Sequence, residues 1–417
     1  MSELHRRDRS VVWHPYTQHG LEDTPLAVRS ASGTTLVLDD GREIIDAISS
    51  WWTSLHGHGR PELVAAMRAQ AEVLDHVLFA GATHEPAVAL AEKLVAITPP
   101  GLARVFFSDD GSTAVEVALK IALQAHSQRG YPERRVFVAF ENGYHGDTFG
   151  AMAVGDPDPF FRAFESLLFR VDRCRVDAND LERALDRLGP SAAGVIVEPL
   201  VQGAGGMRMH SIEFLRTVRE LCTARKIPLI ADEVMTGFGR TGAFFACEKA
   251  GISPDLMCVA KGLTGGIYPL SATLATQDLF DAFVSSERSK ALFHGHSLTA
   301  NPIGCAVALA SIDIALCEDV PAKLERIGAT IESEVRSRLS KTARVRDLRR
   351  TGGIVAFDLV LDTGGYLALD PRPLRAKAIE RGVLLRPLGN VVYAMPPACA
   401  TDSECVRIAE AMVAIAT

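Results

Sequence analysis

Nothing in this sequence of 417 residues supplies an excess of positive charge. Lys and Arg number 44 against 51 Asp and Glu, a formal net charge of -7, so there is no electrostatic reason to bind nucleic acid or an anionic membrane. No stretch is long and charge-free enough to span a bilayer, and the basic opening MSELHRRDRSVVWHPY leads into no apolar segment of the secretory kind. The expectation is a cytoplasmic protein whose partners are small molecules. Cysteine occurs at 174, 222, 247, 258, 305, 317, 399 and 405 but never as Cys-x-x-Cys, which argues against a zinc site and a disulfide framework and leaves reduced packing residues. Repeats, low-complexity tracts and Ser/Pro-rich linkers are missing as well.

What is present is an ordered composition, 47% hydrophobic and 23% charged, over a length that suggests two or three compact units. Short β-branched or aromatic runs at 104–107, 135–140, 194–197, 227–231 and 256–260 are mostly separated by helix-length amphipathic segments. That alternation predicts an α/β fold, a mainly parallel sheet with helices on both faces. Ahead of it, TTLVLDDGREIIDA reads as a hairpin turning at Asp40-Gly41. Behind it, helical periodicity from Ala306 leads to two more strand candidates, GGIVAFDLVL and VLLRPLGNVVYAM. The organisation expected is a large domain over 56–310 and a smaller α+β domain assembled from 1–55 and 311–417.

Ligands of open α/β sheets bind beyond the carboxyl ends of the strands, so the residues that follow each run carry the argument. The first run leads into Ser108-Asp109-Asp110-Gly111-Ser112-Thr113 and a helix, a geometry that suits a phosphate as well as an ordinary helix cap. The second ends in Asn142-Gly143-Tyr144-His145-Gly146-Asp147, where Tyr144 offers either a stacking platform or simple packing. The fourth delivers Asp232 and Glu233 side by side, one of them facing the site as a counter-ion or else serving as a cap. The fifth, wholly apolar, ends at Lys261-Gly262, where desolvation depresses the amine's pKa and makes it nucleophilic. Anchor, stack, pyridinium partner and Schiff-base lysine are together what pyridoxal phosphate needs.

Over essentially its whole length the chain resembles the class III aminotransferases of fold type I. ADEVMTGFGRTG and PDLMCVAKGLTGG are similar to that family's aspartate and lysine segments, and HGHSLTANPIGCA to its phosphate-capping segment. The resemblance implies that Lys261 carries the cofactor, Asp232 pairs with the ring nitrogen, and Tyr144 and Val234 sandwich the ring. It also implies that Gly111 and Ser112 bind phosphate, joined by Ser297 across the interface of a homodimer. Within the family, VVWHPYTQ, DAISSWWTSLHGHGRPEL, NGYHGDTFGAMAVGDPDP, EPLVQGAGGMRM and LLRPLGNVVYAMPP point to the branch that converts 8-amino-7-oxononanoate to 7,8-diaminononanoate in biotin biosynthesis. Either S-adenosylmethionine or lysine is then the amino donor. Tyr16, Trp51 and Trp52 would line the substrate tunnel, Arg386 would pair with the distal carboxylate, and Arg240 would be a second site arginine. Departures are His296 and Leu298 in the capping segment and Ala398 after Met395-Pro396-Pro397, where an aromatic is usual.

The nearest alternative is another class III activity, such as an ω-amino acid:pyruvate aminotransferase, which shares the cofactor residues and differs in the tunnel. A metal hydrolase is suggested only by His56-Gly57-His58 and His294-Gly295-His296; with no HExxH and no Cys/His cluster, no metal is expected. Nothing at either end resembles a DNA-reading module.

Overall fold

The computed structural model describes residues 2–21, 24–158, 160–339, 344–361, 366–367 and 369–416. After a helix over Glu3–Val11, the chain forms an antiparallel ribbon, β1 (Val28–Ser32), β2 (Thr35–Leu38) and β3 (Glu43–Asp46). At the turn between the last two, Gly41 has φ 88°, a backbone region that glycine enters without a side-chain clash. Seven strands then form the central sheet: β4 (Leu102–Ser108), β5 (Val136–Phe140), β6 (Val171–Cys174), β7 (Ala192–Val197), β8 (Leu229–Asp232), β9 (Leu256–Val259) and β10 (Ser271–Thr276). Their order is β4-β10-β9-β8-β7-β5-β6. Pairing is parallel from β9 through β8, β7 and β5 to β6, while β10 runs antiparallel to both β9 and β4.

All five sequence runs are therefore strands of one sheet, and the α/β reading holds. Strands β5, β7, β8 and β9 are buried along their whole length, as parallel strands covered on both faces must be. Side chains alternate between two cores. Phe137 and Ala139 pack with the helix α1 (Gly111–Gln128) on one face, and Val136, Val138 and Phe140 with Phe214, Leu215 and Val218 on the other. Each fully buried Phe, Leu or Val in these layers contributes roughly 1.5–3 kcal/mol.

Strand β10 was not among the expected elements. Its residues, Ser-Ala-Thr-Leu-Ala-Thr, are small and weakly patterned, and it is held by long-range partners on both sides and by the Thr273 hydroxyl donating to the Ala114 carbonyl at 2.7 Å. Because it is antiparallel, the loop that enters it, residues 266–270, lies at the carboxyl ends of its neighbours.

The last third contributes β11 (Val345–Thr351), β12 (Ile354–Leu359), β13 (Val383–Leu384) and β14 (Val391–Ala394). Strands β11, β12 and β14 make an antiparallel sheet. The segment expected as one strand splits, because β13 instead pairs in parallel with β3. The two ends of the chain thus share a sheet, and Arg386 sits on the link between its two parts. Among the described residues no helix is long and apolar enough to cross a membrane.

Candidate active site

The strand ends converge on a cavity of about 470 Å³. Asp232 closes β8, with Oδ2 2.7 Å from His145 Nδ1 and Oδ1 accepting the Val234 N–H at 3.1 Å. Its neighbour Glu233 turns away and accepts the N–H groups of Ala246 and Cys247 at 3.1 and 2.8 Å, so Asp232 is the acid that faces the cavity. Burial pulls the His145 pKa down, but the hydrogen bond and charge of Asp232, helped by Glu198, outweigh it and carry it above its ordinary value.

Lys261 follows β9. Burial brings its amine down to about 8, only partly offset by the charges of Asp232 and Glu198, and Nζ lies 4.5 Å from the centre of the Trp52 ring. The α1 end serves both readings made from sequence. Asp110 is the cap, accepting the Thr113 N–H at 3.0 Å, which leaves Gly111 and Ser112 lining the cavity. A Cβ on Gly111 would lie 2.6 Å from Val234 Cγ1, and one on Gly146 2.1 Å from Ser112 Oγ, so both glycines permit a close backbone approach. Ser112 Oγ in turn accepts the Asp147 N–H at 3.1 Å. The Tyr144 ring stacks on Phe161 at 6.0 Å, its hydroxyl donating to Asp147 Oδ1 at 3.0 Å.

Of the residues named from sequence, Lys261, Asp232, Tyr144, Gly111, Ser112, Val234 and Trp52 line the cavity itself. Tyr16, Trp51, Arg386 and Arg240 adjoin it through contacts. The Tyr16 hydroxyl lies 3.2 Å from that of Tyr144 and donates to both oxygens of Asp147 at 2.7 and 2.8 Å, and its ring meets Trp51 edge-on at 5.6 Å. The Arg386 guanidinium lies 4.3 Å over the Trp51 ring, with no carboxylate partner among the described residues. Arg240, 1% exposed, donates to the carbonyls of Pro396 and Trp52 at 3.0 and 3.3 Å and keeps Nε unpartnered. Burial lowers its pKa to about 10, against the opposing charge of Asp46. Ser297 stands apart, exposed and outside the cavity of this chain.

The two tryptophans are presented by an unusual backbone. Ser49, Ser50, Trp51 and Trp52 have φ of 49°, 44°, 72° and 74°, one left-handed turn closed by Trp52 N–H to Ile48 and Thr53 N–H to Ser49 bonds of 2.9 Å. At roughly 1–2 kcal/mol per non-glycine residue, this turn stores on the order of 4–8 kcal/mol. Lys261, at φ 35°, is strained as well.

Glu198 escaped the sequence reading. It directly follows β7, so the strand-end argument that found Asp232 and Lys261 applies to it equally. Oε1 accepts the Tyr144 N–H at 3.0 Å and Oε2 the Gly203 N–H at 2.8 Å, and burial pushes its pKa up to about 7. The histidine pairs are engaged elsewhere: His56 with Ser311 at 2.9 Å, His58 with Asp46 at 2.9 Å, and His294 with His296 at 3.2 Å. Among the described residues no three His, Cys, Asp or Glu side chains are grouped to hold a metal.

A buried amine, an acid bonded to a histidine in the cavity wall, an aromatic ring and a glycine-lined helix N-terminus are a donor set that fits pyridoxal phosphate. Over residues 16–416 the chain matches the class-III aminotransferase family. It is 49% identical over 411 residues to the adenosylmethionine-8-amino-7-oxononanoate aminotransferase of Synechococcus elongatus, covering 94% of this chain and 95% of that protein. The crystal structure of the adenosylmethionine-8-amino-7-oxononanoate aminotransferase of Methanocaldococcus jannaschii is similar with a TM-score of 0.95 at 35% identity, over 99% and 98% of the two chains. An amine transaminase from an uncultivated Pseudomonas species, solved in its PLP-bound form, gives a TM-score of 0.90 at 33% identity over 97% and 98%.

Proposed function

Because the chain belongs to the class III aminotransferases, we propose that it transfers the amino group of S-adenosylmethionine to 8-amino-7-oxononanoate, giving 7,8-diaminononanoate in biotin biosynthesis. Its cofactor is pyridoxal phosphate. When bound, the cofactor supplies an aldehyde that takes up the donor's amine and a ring that draws off electrons from the adjacent carbon.

The chain's own residues do the rest. Gly111 and Ser112 at the N-terminus of α1 bind the phosphate, where unpaired N–H groups and the helix dipole favour an anion. Val234 and Tyr144 hold the ring between them. Asp232, held by its contact with His145, would pair with the protonated ring nitrogen. Lys261 Nζ, neutral in good part near pH 8, takes the proton from the donor's amine-bearing carbon and returns one to the carbon that was the ketone. Trp51, Trp52 and Tyr16 line the channel for the nine-carbon chain. Arg240, the second site arginine, acts through its bond to the Trp52 carbonyl.

The observation that carries this substrate is Arg386, a cation 4.3 Å over the Trp51 ring with no carboxylate partner among the described residues. An apolar wall ending in an unpaired guanidinium suits an aliphatic acid, and a carboxylate completes it. We further propose a cytoplasmic homodimer. Free thiols at all eight cysteines fit a reducing compartment, and the exposed apolar Phe293 and Leu298 beside Ser297 fit a face that a second copy covers.

The test is a pair of half-reactions. Yellow holoenzyme mixed with S-adenosylmethionine alone should lose its visible band, and 8-amino-7-oxononanoate should restore it. Lysine and ω-amino acids are parallel donors, with pyruvate as the rival acceptor. Restoration by pyruvate but not by the nine-carbon keto acid would overturn the proposal.

A further inference from the structure

L-residues enter the left-handed region one at a time, and a run of four without a glycine holds only where something outside the run restrains it. Around Ser49, Ser50, Trp51 and Trp52 that restraint centres on Asp46, the last residue of β3, whose carboxylate is fully buried. Its Oδ1 accepts the Ile48 N–H at 3.2 Å. Its Oδ2 accepts the Ser50 hydroxyl at 2.7 Å and lies 2.9 Å from His58 Nε2. Burial alone would raise its pKa, but the bonds from His58 and Ser50 bring it below the ordinary value, so the group that accepts these bonds is a carboxylate. His58 is fixed in turn by a two-way backbone bridge to Gly33, 2.9 and 2.7 Å long. Beyond Asp46, the Ser49 hydroxyl donates to the Met395 carbonyl at 2.7 Å and Arg240 to that of Trp52.

This clamp controls where both tryptophans point. Trp51 lies under Arg386, and Trp52 lies under Lys261 with its Nε1–H donated to Tyr393 at 3.0 Å. We propose that Asp46 is a positioning residue for substrate selection: by holding Ser50 and His58 it keeps the left-handed turn that sets the channel wall, though it touches neither substrate nor cofactor. Without the clamp the turn relaxes toward ordinary backbone, Trp51 leaves Arg386, and the long keto acid loses its wall. The phosphate cup and Asp232, on other elements, keep their geometry. The proposal rests on the reading of Trp51 and Trp52 as substrate wall.

The experiment uses holoenzyme carrying Trp13→Phe, which leaves Trp51 and Trp52 as the only tryptophans of the original three. Into this parent go Asp46→Asn and Asp46→Asn with Ser50→Gly. Asparagine keeps the shape but has a single accepting oxygen, so it cannot serve the Ile48 N–H on one side and the Ser50 and His58 hydrogens on the other. In Asp46→Asn the KM for 8-amino-7-oxononanoate should rise roughly tenfold or more while kcat changes by less than about threefold. Acrylamide quenching of the two tryptophans should increase as well. Glycine at position 50 takes positive φ without cost, so the double variant should recover at least about half of the lost affinity. A KM within about twofold of the parent overturns the proposal whatever happens to stability, and so does a loss that Ser50→Gly leaves unrepaired. If the asparagine variant does not accumulate, His58→Ala removes one arm of the clamp and is read the same way. A parent that does not turn over this keto acid defeats the assigned reaction instead, and the quenching measurement still decides whether Asp46 holds the turn.

Discussion

Replacing Glu198 by Gln should make the apoprotein more stable above neutral pH and not below pH 5. Glu198 is fully buried, and burial raises its pKa from 4.5 to about 7. For an acid so raised, the folded state gives full stability while the group is protonated. That stability is lost as pH climbs from the unfolded value of 4.5 through the folded value near 7. At about 1.36 kcal/mol per pH unit, the interval corresponds to roughly 3 kcal/mol lost by pH 8.5. Glutamine never ionises and escapes this loss. It gives up one of the two backbone N–H contacts, from Tyr144 or Gly203, at a cost of about 1 kcal/mol. The net expectation is a variant stabler by about 2 kcal/mol at pH 8.5, and slightly less stable than wild type at pH 5. Melting temperatures of wild type and Glu198→Gln, measured without cofactor from pH 5 to 8.5, should therefore cross. A difference that stays constant across that range would refute a raised pKa at Glu198.

Four other outcomes follow from the same geometry. Lys261→Ala should abolish multiple turnover, and in wild-type apoenzyme the rate of cofactor uptake should rise with pH and level off above about 8, where the amine is already neutral; a flat profile would contradict the depressed pKa. Gly111→Ala sets a methyl 2.6 Å from Val234 Cγ1, so the dissociation constant for pyridoxal phosphate, read by fluorescence titration, should rise roughly tenfold. Arg386→Ala removes a charge-assisted pair worth about 1.5–3 kcal/mol and should raise the KM for the keto acid on the order of 10- to 150-fold, with the donor half-reaction nearly unchanged.

Strand-end chemistry is legible in the sequence because it is local. An apolar run predicts a buried parallel strand, and the next residue must lie at the sheet's carboxyl edge, so the Asp232-Glu233 pair and Lys261 stand out from the order of residues alone, while which of the two acids faces the cavity does not. Glu198 is equally accessible by that rule. Strand β10 is not, since its small residues become a strand only between β4 and β9. Splitting of the VLLRPLGNVVYAM segment is likewise decided by β3, more than three hundred residues earlier, which offers β13 a parallel edge.

The sequence by itself determined which chemical groups this protein owns and at which strand ends they emerge, because hydrophobic periodicity fixes the elements and the elements fix their termini. The depressed amine of Lys261 was legible from the apolar run before it; how far it is tuned, and how the other groups are, tertiary structure decided. The contact of His145 with Asp232 and the burial that brings Lys261 to about 8 and Glu198 to about 7 depend on residues far apart in the chain. Desolvation and electrostatic coupling act through space, and the order of residues does not record them.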